Sequence, residues 1–186
     1  MLEIVFHGRG GQGAVTAANV LVAAALKDGH RGVQAFPLFG SERRGAPVKA
    51  FARISDTDVE LRSQVYNPDI VVVVDSGLLK LVDVTEGLKP DGVLILNTTG
   101  KPGDFEFSKR FRVATVDAAA ISIRHKLLVG GIPVINTPIL GCVPRVTDLV
   151  TIESIEAAIK DQWKGESGER NALAAREAYE QTEVNR

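Results

Sequence analysis

The stretch Leu2-Glu3-Ile4-Val5-Phe6-His7-Gly8-Arg9-Gly10-Gly11-Gln12-Gly13-Ala14-Val15-Thr16-Ala17-Ala18 decides the fold. Residues 2–6 are a short apolar run and read as a buried strand. Residues 8–13 are a glycine-rich turn. From Ala14 to Lys27 the chain is alanine-rich, with apolar positions such as Val15, Ala18, Val22 and Leu26. Asp28-Gly29 then supplies a helix stop. Strand, glycine turn, helix is the opening of a doubly wound α/β domain.

Working outward, residues 33–36 read as a second strand stopped by Pro37, followed by a polar, glycine-punctuated loop over 38–47. Residues 48–54 alternate in polarity, which predicts a strand with one face on the core. The β-branched run 70–74 predicts a central strand buried on both faces. A helix is expected from Leu78 to Val84, a strand over 93–96 ending at Asn97, and a shorter strand over 112–116. Residues 118–128 read as helix, broken by Gly130-Gly131-Ile132-Pro133. An apolar segment rich in Pro and Val spans 136–150. Amphipathic helices over 152–163 and 171–182 flank a turn at Gly165-Glu166-Ser167-Gly168. The expected fold is a three-layer α/β/α Rossmann-like domain with a mixed, mainly parallel sheet and a helical C-terminal tail. It occupies residues 1–186 as one domain, with the α/β core at about 1–135 and the helical part at about 136–186.

Composition sets outer limits. At 186 residues the chain suits one domain with a real core. It is 45% hydrophobic and 24% charged, as in ordinary globular proteins. Its net charge of -1, from 22 basic and 23 acidic residues, argues against general nucleic-acid binding. Cys142 is the only cysteine, which excludes a disulfide framework and an iron–sulfur cluster held by this chain alone, since clusters take roughly four thiolates. His7, His30 and His125 lack metal-ligand spacing, so no metal is expected on the chain. The N-terminus carries no basic leader, and the weakly polar stretch 14–26 falls short of the ~20 residues a membrane span needs. A cytoplasmic location follows as an expectation.

Gly8, Gly10 and Gly13 satisfy G-x-G-x-x-G at the right junction. Such a loop exposes backbone N–H groups at a helix N-terminus, where the dipole favours a phosphate or carboxylate. Arg9 adds positive charge beside it. A dinucleotide site also needs an acid ~20 positions on, at the end of the second strand. Residues 32–37 carry none. A self-contained nucleotide-binding oxidoreductase is therefore an alternative reading, as are glycines that merely allow tight strand-to-helix packing.

Four blocks in order carry a family resemblance. The first is the "GGQG" core of residues 7–18 with its small-residue helix. The second is Ala35-Phe36-Pro37-Leu38-Phe39-Gly40-Ser41-Glu42-Arg43-Arg44-Gly45-Ala46-Pro47-Val48. The third is Asn136 followed by Leu140-Gly141, and the fourth is the late helix beginning Asn171-Ala172. From about residue 3 to about residue 180 the chain resembles the gamma-type subunits of 2-oxoacid:ferredoxin oxidoreductases. The doubled arginine with Ala-Pro-Val is most similar to the versions acting on pyruvate and branched-chain oxoacids.

The resemblance implies a division of labour. Thiamine diphosphate with Mg would sit between alpha- and beta-type subunits, and a ferredoxin-like delta subunit would hold the iron–sulfur clusters. The complex would decarboxylate a 2-oxoacid oxidatively, pass electrons to ferredoxin and load the acyl group on coenzyme A. The gamma-type chain would support closure of the active site, coenzyme A interaction and assembly, with no catalytic residue of its own and no activity alone. It could form a homo-oligomer by itself; a purely structural subunit is the other alternative. The residues implicated in ligand contact are Gly8, Arg9, Gly10, Gly11, Gln12 and Gly13 in the first loop, and Glu42, Arg43, Arg44 and Gly45 in the second. Guanidinium groups there suit coenzyme A phosphates or carboxylates of a neighbouring subunit. Gln12 reads equally as a ligand contact or a loop cap, Asp75 as a helix cap, Asn136 as a tie for a proline-rich turn, and Cys142 as an inert buried thiol.

Overall fold

In the computed structural model, residues 1–38 and 44–185 are described. The strands are β1 (Leu2–Arg9), β2 (Gly32–Pro37), β3 (Pro47–Ser55), β4 (Ile70–Val73), β5 (Val93–Asn97), β6 (Arg112–Val116), β7 (Leu128–Val129), β8 (Ile132–Pro133) and β9 (Glu183–Val184). The α-helices are α1 (Ala14–Lys27), α2 (Ala118–Arg124), α3 (Val143–Val146), α4 (Ile152–Gln162) and α5 (Glu166–Gln181). Seven strands form one sheet in the order β2-β3-β1-β4-β5-β6-β9. β1, β4, β5 and β6 are mutually parallel, while β3 and β9 pair antiparallel to their neighbours. The mixed, mainly parallel α/β sheet expected from the glycine turn and the β-branched runs is the fold observed.

All four residues of β4 are buried, as its unbroken Ile-Val-Val-Val sequence dictates for a strand covered on both faces. On one face, α1, α4 and α5 pack over residues such as Ile4, Phe6, Ile54 and Val72, in a cluster that also contains Ile155 and Ala174. The parts on either side of residue 135 thus share one core. The other face, with Val5, Phe51, Val71, Val73 and Leu94, is covered by a thinner layer of turns and 3-10 helices.

Several expectations change. The first strand runs on to Arg9, so Gly8 and Arg9 are strand residues and the turn proper begins at Gly10. The helix expected at 78–84 is a short 3-10 helix, Ser76–Lys80, capped at Leu81; beyond it the Asp83 side chain accepts from Thr85 N–H at 2.9 Å in a separate turn. The helix from Ala118 stops at Arg124. Beyond it a hairpin forms, because Gly130 and Gly131 both adopt positive φ (57° and 79°), the type I′ geometry that closes β7 on β8. The last helix starts at Glu166, not 171, and the tail does not end as helix: β9 returns to the sheet beside β6, and Asn185 Oδ1 accepts from Val113 N–H at 2.6 Å.

β3 was expected to bury one face, and it buries both. Its Arg53 is 1% exposed. Nε of Arg53 pairs with Glu3 at 2.8 Å, its terminal nitrogens donate to the carbonyls of Leu61, Ser63 and Gln64, and its guanidinium lies 5.3 Å from the centre of the Phe36 ring. A buried charge so completely surrounded satisfies its hydrogen-bonding demand without water.

Candidate functional site

In an open α/β sheet, ligands collect at the carboxyl edge where connections depart to opposite faces. Here that point lies between β1 and β4. The chain leaves β1 through α1 on one face and leaves β4 through the 3-10 helix Ser76–Lys80 on the other. The candidate loops converge on it.

The glycine turn and the second motif are stitched together by backbone. Gly10 N–H donates to Ala46 O at 2.9 Å, and Gly45 N–H donates back to Gly10 O at 3.0 Å. A β-bridge joins Gly10 to Arg44. Side chains add a second lock centred on Asp75. Its Oδ2 accepts from Arg9 Nε and from Gln12 Nε2, each at 2.8 Å, while its Oδ1 accepts from Gly77 N–H at 2.8 Å. Gln12 Oε1 accepts from Arg9 N–H at 2.8 Å, and an Arg9 terminal nitrogen reaches Gly45 O at 3.2 Å. Burial opposes ionisation of Asp75, but the bonds from Gln12, Arg9 and Gly77 overcome it and hold the carboxyl below its ordinary range.

This network assigns roles to the candidates. Arg9 pairs with Asp75 and braces the loop, so its guanidinium is engaged within the chain. Gln12 caps the loop: its amide faces Asp75. Asp75 is the cap expected, since it receives Gly77 N–H, but its larger role as anchor for Arg9 and Gln12 was not visible across 66 and 63 residues of chain. Gly8 sits in β1 opposite Val48. Glu42 and Arg43 lie outside the described residues.

What faces outward is a cleft of ≈ 270 Å³, with Gly11, Gln12, Gly13 and Arg44 on one side. Val129, Ile132, Pro133, Val134, Ile135 and Asn136 form the other. Gly13, in the left-handed region at φ 78°, is the N-cap of α1 and offers no side-chain cap; the first turn of α1 contains no acid. The first amides of the helix are therefore available to an external acceptor. Exposed Arg44 lies on the same side. Chemically, the cleft offers an anion site opposite an apolar wall. The hairpin that builds this wall was missed because two-residue strands carry no periodicity.

Two other groups are placed clearly. Cys142 is fully buried, its thiol pushed up to about 12 by that burial against a weak opposing contact from Thr182, so it offers neither nucleophile nor cluster ligand. Leu140-Gly141 meets α5 backbone to backbone: a Cβ on Gly141 would lie 1.9 Å from Ala175 O. Among the described residues, no group of three or more His, Cys, Asp or Glu could hold a metal, and no helix is long and apolar enough to cross a membrane.

Comparison with known proteins agrees with this architecture. The family model described as pyruvate ferredoxin/flavodoxin oxidoreductase matches residues 3–181. The pyruvate/ketoisovalerate oxidoreductases common subunit gamma of Pyrococcus abyssi is 54% identical over 99% of this chain and 98% of its own. The crystal structure of pyruvate oxidoreductase subunit PORC from Thermotoga maritima superimposes with a TM-score of 0.81 at 39% identity, covering 100% of this chain and 98% of that one. A 2-oxoglutarate:ferredoxin oxidoreductase from Magnetococcus marinus, solved with 2-oxoglutarate, coenzyme A and succinyl-CoA bound, gives a TM-score of 0.75 at 17% identity. That match covers 96% of this chain but 30% of the longer one, and shares the fold alone. With a family model spanning nearly its whole length and a relative 54% identical end to end, the chain belongs to the pyruvate ferredoxin/flavodoxin oxidoreductase family, among the gamma-type subunits.

Proposed function

We propose that this chain is the gamma-type subunit of a multi-subunit oxidoreductase that decarboxylates pyruvate, or a branched-chain 2-oxoacid, to the acyl-CoA and CO2 with ferredoxin as acceptor. Its end-to-end identity with a subunit named as common to pyruvate and ketoisovalerate oxidoreductases carries this reading. Thiamine diphosphate, Mg and the iron–sulfur clusters belong, on this reading, to alpha-, beta- and delta-type partners. The residues present fit that division, since the lone cysteine is buried and protonated.

Within the complex, the cleft between the glycine loop and the β7–β8 hairpin receives coenzyme A. The N-terminal amides of α1 and the Arg44 guanidinium bind its phosphates. This chain therefore orients a substrate and contributes no group to bond making or breaking. The cleft's own chemistry supports this position. A polyanion matches several amides and a guanidinium better than pyruvate, whose single carboxylate needs fewer donors.

The test is an Arg44→Ala chain reconstituted with its partners. A charge-assisted hydrogen bond contributes roughly 1.5–3 kcal/mol, so the apparent KM for coenzyme A should rise about 10- to 100-fold. The KM for the 2-oxoacid should hold. Unchanged coenzyme A dependence with intact assembly would sink the ligand assignment. Loss of assembly would make Arg44 an interface residue instead.

A further inference from the structure

Among the described residues, one buried side-chain polar atom has no hydrogen-bond partner: Oδ1 of Asn136. Asn136 is 7% exposed and belongs to the lining of the cleft. Its carboxamide presses on the glycine loop, for a Cβ on Gly13 would come within 2.5 Å of Asn136 Nδ2. Gly13 is thus needed twice, for its positive φ and for the room it leaves this amide. Unsatisfied buried acceptors are rare in folded proteins. The turn-tying role expected from the sequence would have given the side chain a backbone partner. A carboxamide placed without one, beside an open helix N-terminus, is suited to a ligand.

The chemistry gathered around the cleft narrows that ligand. The α1 amides and Arg44 suit an anion. Asn136, against Gly13, adds one donor group and one acceptor. The hairpin supplies apolar surface, with Val129 71% and Ile132 61% exposed. An isolated inorganic anion would leave the wall and the carboxamide unused, and a hydrocarbon would leave Asn136 unpaired. A secondary amide on an apolar chain matches both, because its C=O and N–H complement the carboxamide. The terminal torsion of asparagine is soft enough to present either atom.

We propose that Asn136 and the β7–β8 hairpin form a specificity site for the amide-bearing apolar arm of the ligand whose anionic end lies on the glycine loop. This rests on the coenzyme A reading above, in which that arm is the pantetheine.

The test uses the assembled complex and two probes: coenzyme A, and adenosine 3′,5′-bisphosphate, which carries phosphates but no pantetheine arm. Asn136→Ala should raise the KM for coenzyme A about 10-fold, the worth of one good hydrogen bond, and leave the inhibition constant of the bisphosphate unchanged. The melting temperature of the variant chain should be equal or higher, since an unpaired buried acceptor has been removed. Ile132→Ser, at an exposed position that does not endanger folding, should likewise raise only the coenzyme A KM. Arg44→Ala should weaken both probes. If Asn136→Ala or Ile132→Ser leaves the coenzyme A KM unchanged, or weakens both probes alike, the arm site does not exist. A lowered melting temperature with coenzyme A affinity intact would return Asn136 to a structural role. If the bisphosphate does not compete with coenzyme A and Arg44→Ala has no effect, the coenzyme A reading itself has failed.

Discussion

Replacing Asp75 by asparagine keeps the shape of the side chain and removes only its charge, so it isolates what the carboxylate does for the loops. Three donors converge on it: Arg9 Nε and Gln12 Nε2 at Oδ2, and Gly77 N–H at Oδ1. An amide cannot serve all three. With its oxygen toward Arg9 and Gln12, its NH2 group faces Gly77 N–H; turned over, it faces the other two. The bond from Gly77 N–H is lost and the bonds from Arg9 and Gln12 are weakened by about 1 kcal/mol each, for a total near 3 kcal/mol. The Arg9 and Asp75 side chains are 28% and 22% exposed, and solvent screening brings the expected loss to about 2 kcal/mol. The folded-state pKa of Asp75 is depressed, so its contribution is complete above the unfolded carboxyl value and is lost as pH falls through the folded one. Urea unfolding of the full chain at a series of pH values reads this directly. The wild-type and Asp75→Asn stabilities should differ by about 2 kcal/mol at pH 7 and begin to converge below about pH 4. A difference that persists unchanged to pH 3, or is absent at pH 7, would refute the network's role.

Arg53→Ala should destabilise by about 3–5 kcal/mol, because it strands Glu3 and three carbonyls, and joint replacement of Arg53 and Glu3 by methionine should recover only the part due to Glu3 in a denaturant titration. His7, held near pKa 4 by burial and by Lys49, should titrate at about 4 by NMR. Its folded pKa lies below the unfolded 6.5, so about 3 kcal/mol of stability should be present above pH 6.5 and lost as pH falls toward 4, a dependence that His7→Leu should flatten. Cys142 should resist a thiol-specific reagent at pH 8 in the native chain and react fully once unfolded; rapid labelling of the folded protein would contradict its burial.

What the sequence made legible follows from local physics. β4 and the first four residues of β5 are apolar without interruption, and their shortness, β-branched content and turn-forming flanks favour a strand covered on both faces over a helix. The α1 boundaries were readable because glycine sits at both ends of an alanine-rich run. What escaped depends on partners distant in the chain. Arg53 looked like the solvent side of an alternating strand, since nothing local reveals that residues 61–64 fold back over it. The β7–β8 hairpin and β9 are two residues per strand, below the length at which alternation can be read. Asn136 was singled out as part of a motif, yet its lack of a partner is a property of the fold alone.

The two loop motifs differ in what their arginines can do, and the reason is electrostatic. Arg9 lies at the end of β1, next to the strand that delivers Asp75, and a guanidinium 2.8 Å from a carboxylate presents little net charge to a ligand. Arg44 lies across the Gly10 bridge, on the cleft side of the same backbone. The Arg9–Asp75 pair fixes the strand end, Gln12 ties the turn to it, and the backbone bonds of Gly10 with Ala46 and Gly45 carry that rigidity into the second motif. Residues 9–12 and 44–46, more than thirty positions apart, thereby hold one geometry. On the proposed reading, binding need not order these residues, and a preorganised site loses less entropy on association than a mobile one. On the proposed reading, removing Arg9 should loosen the contact between residues 9–12 and 44–46 and weaken every anion alike, whereas removing Arg44 should cost charge without disturbing the fold.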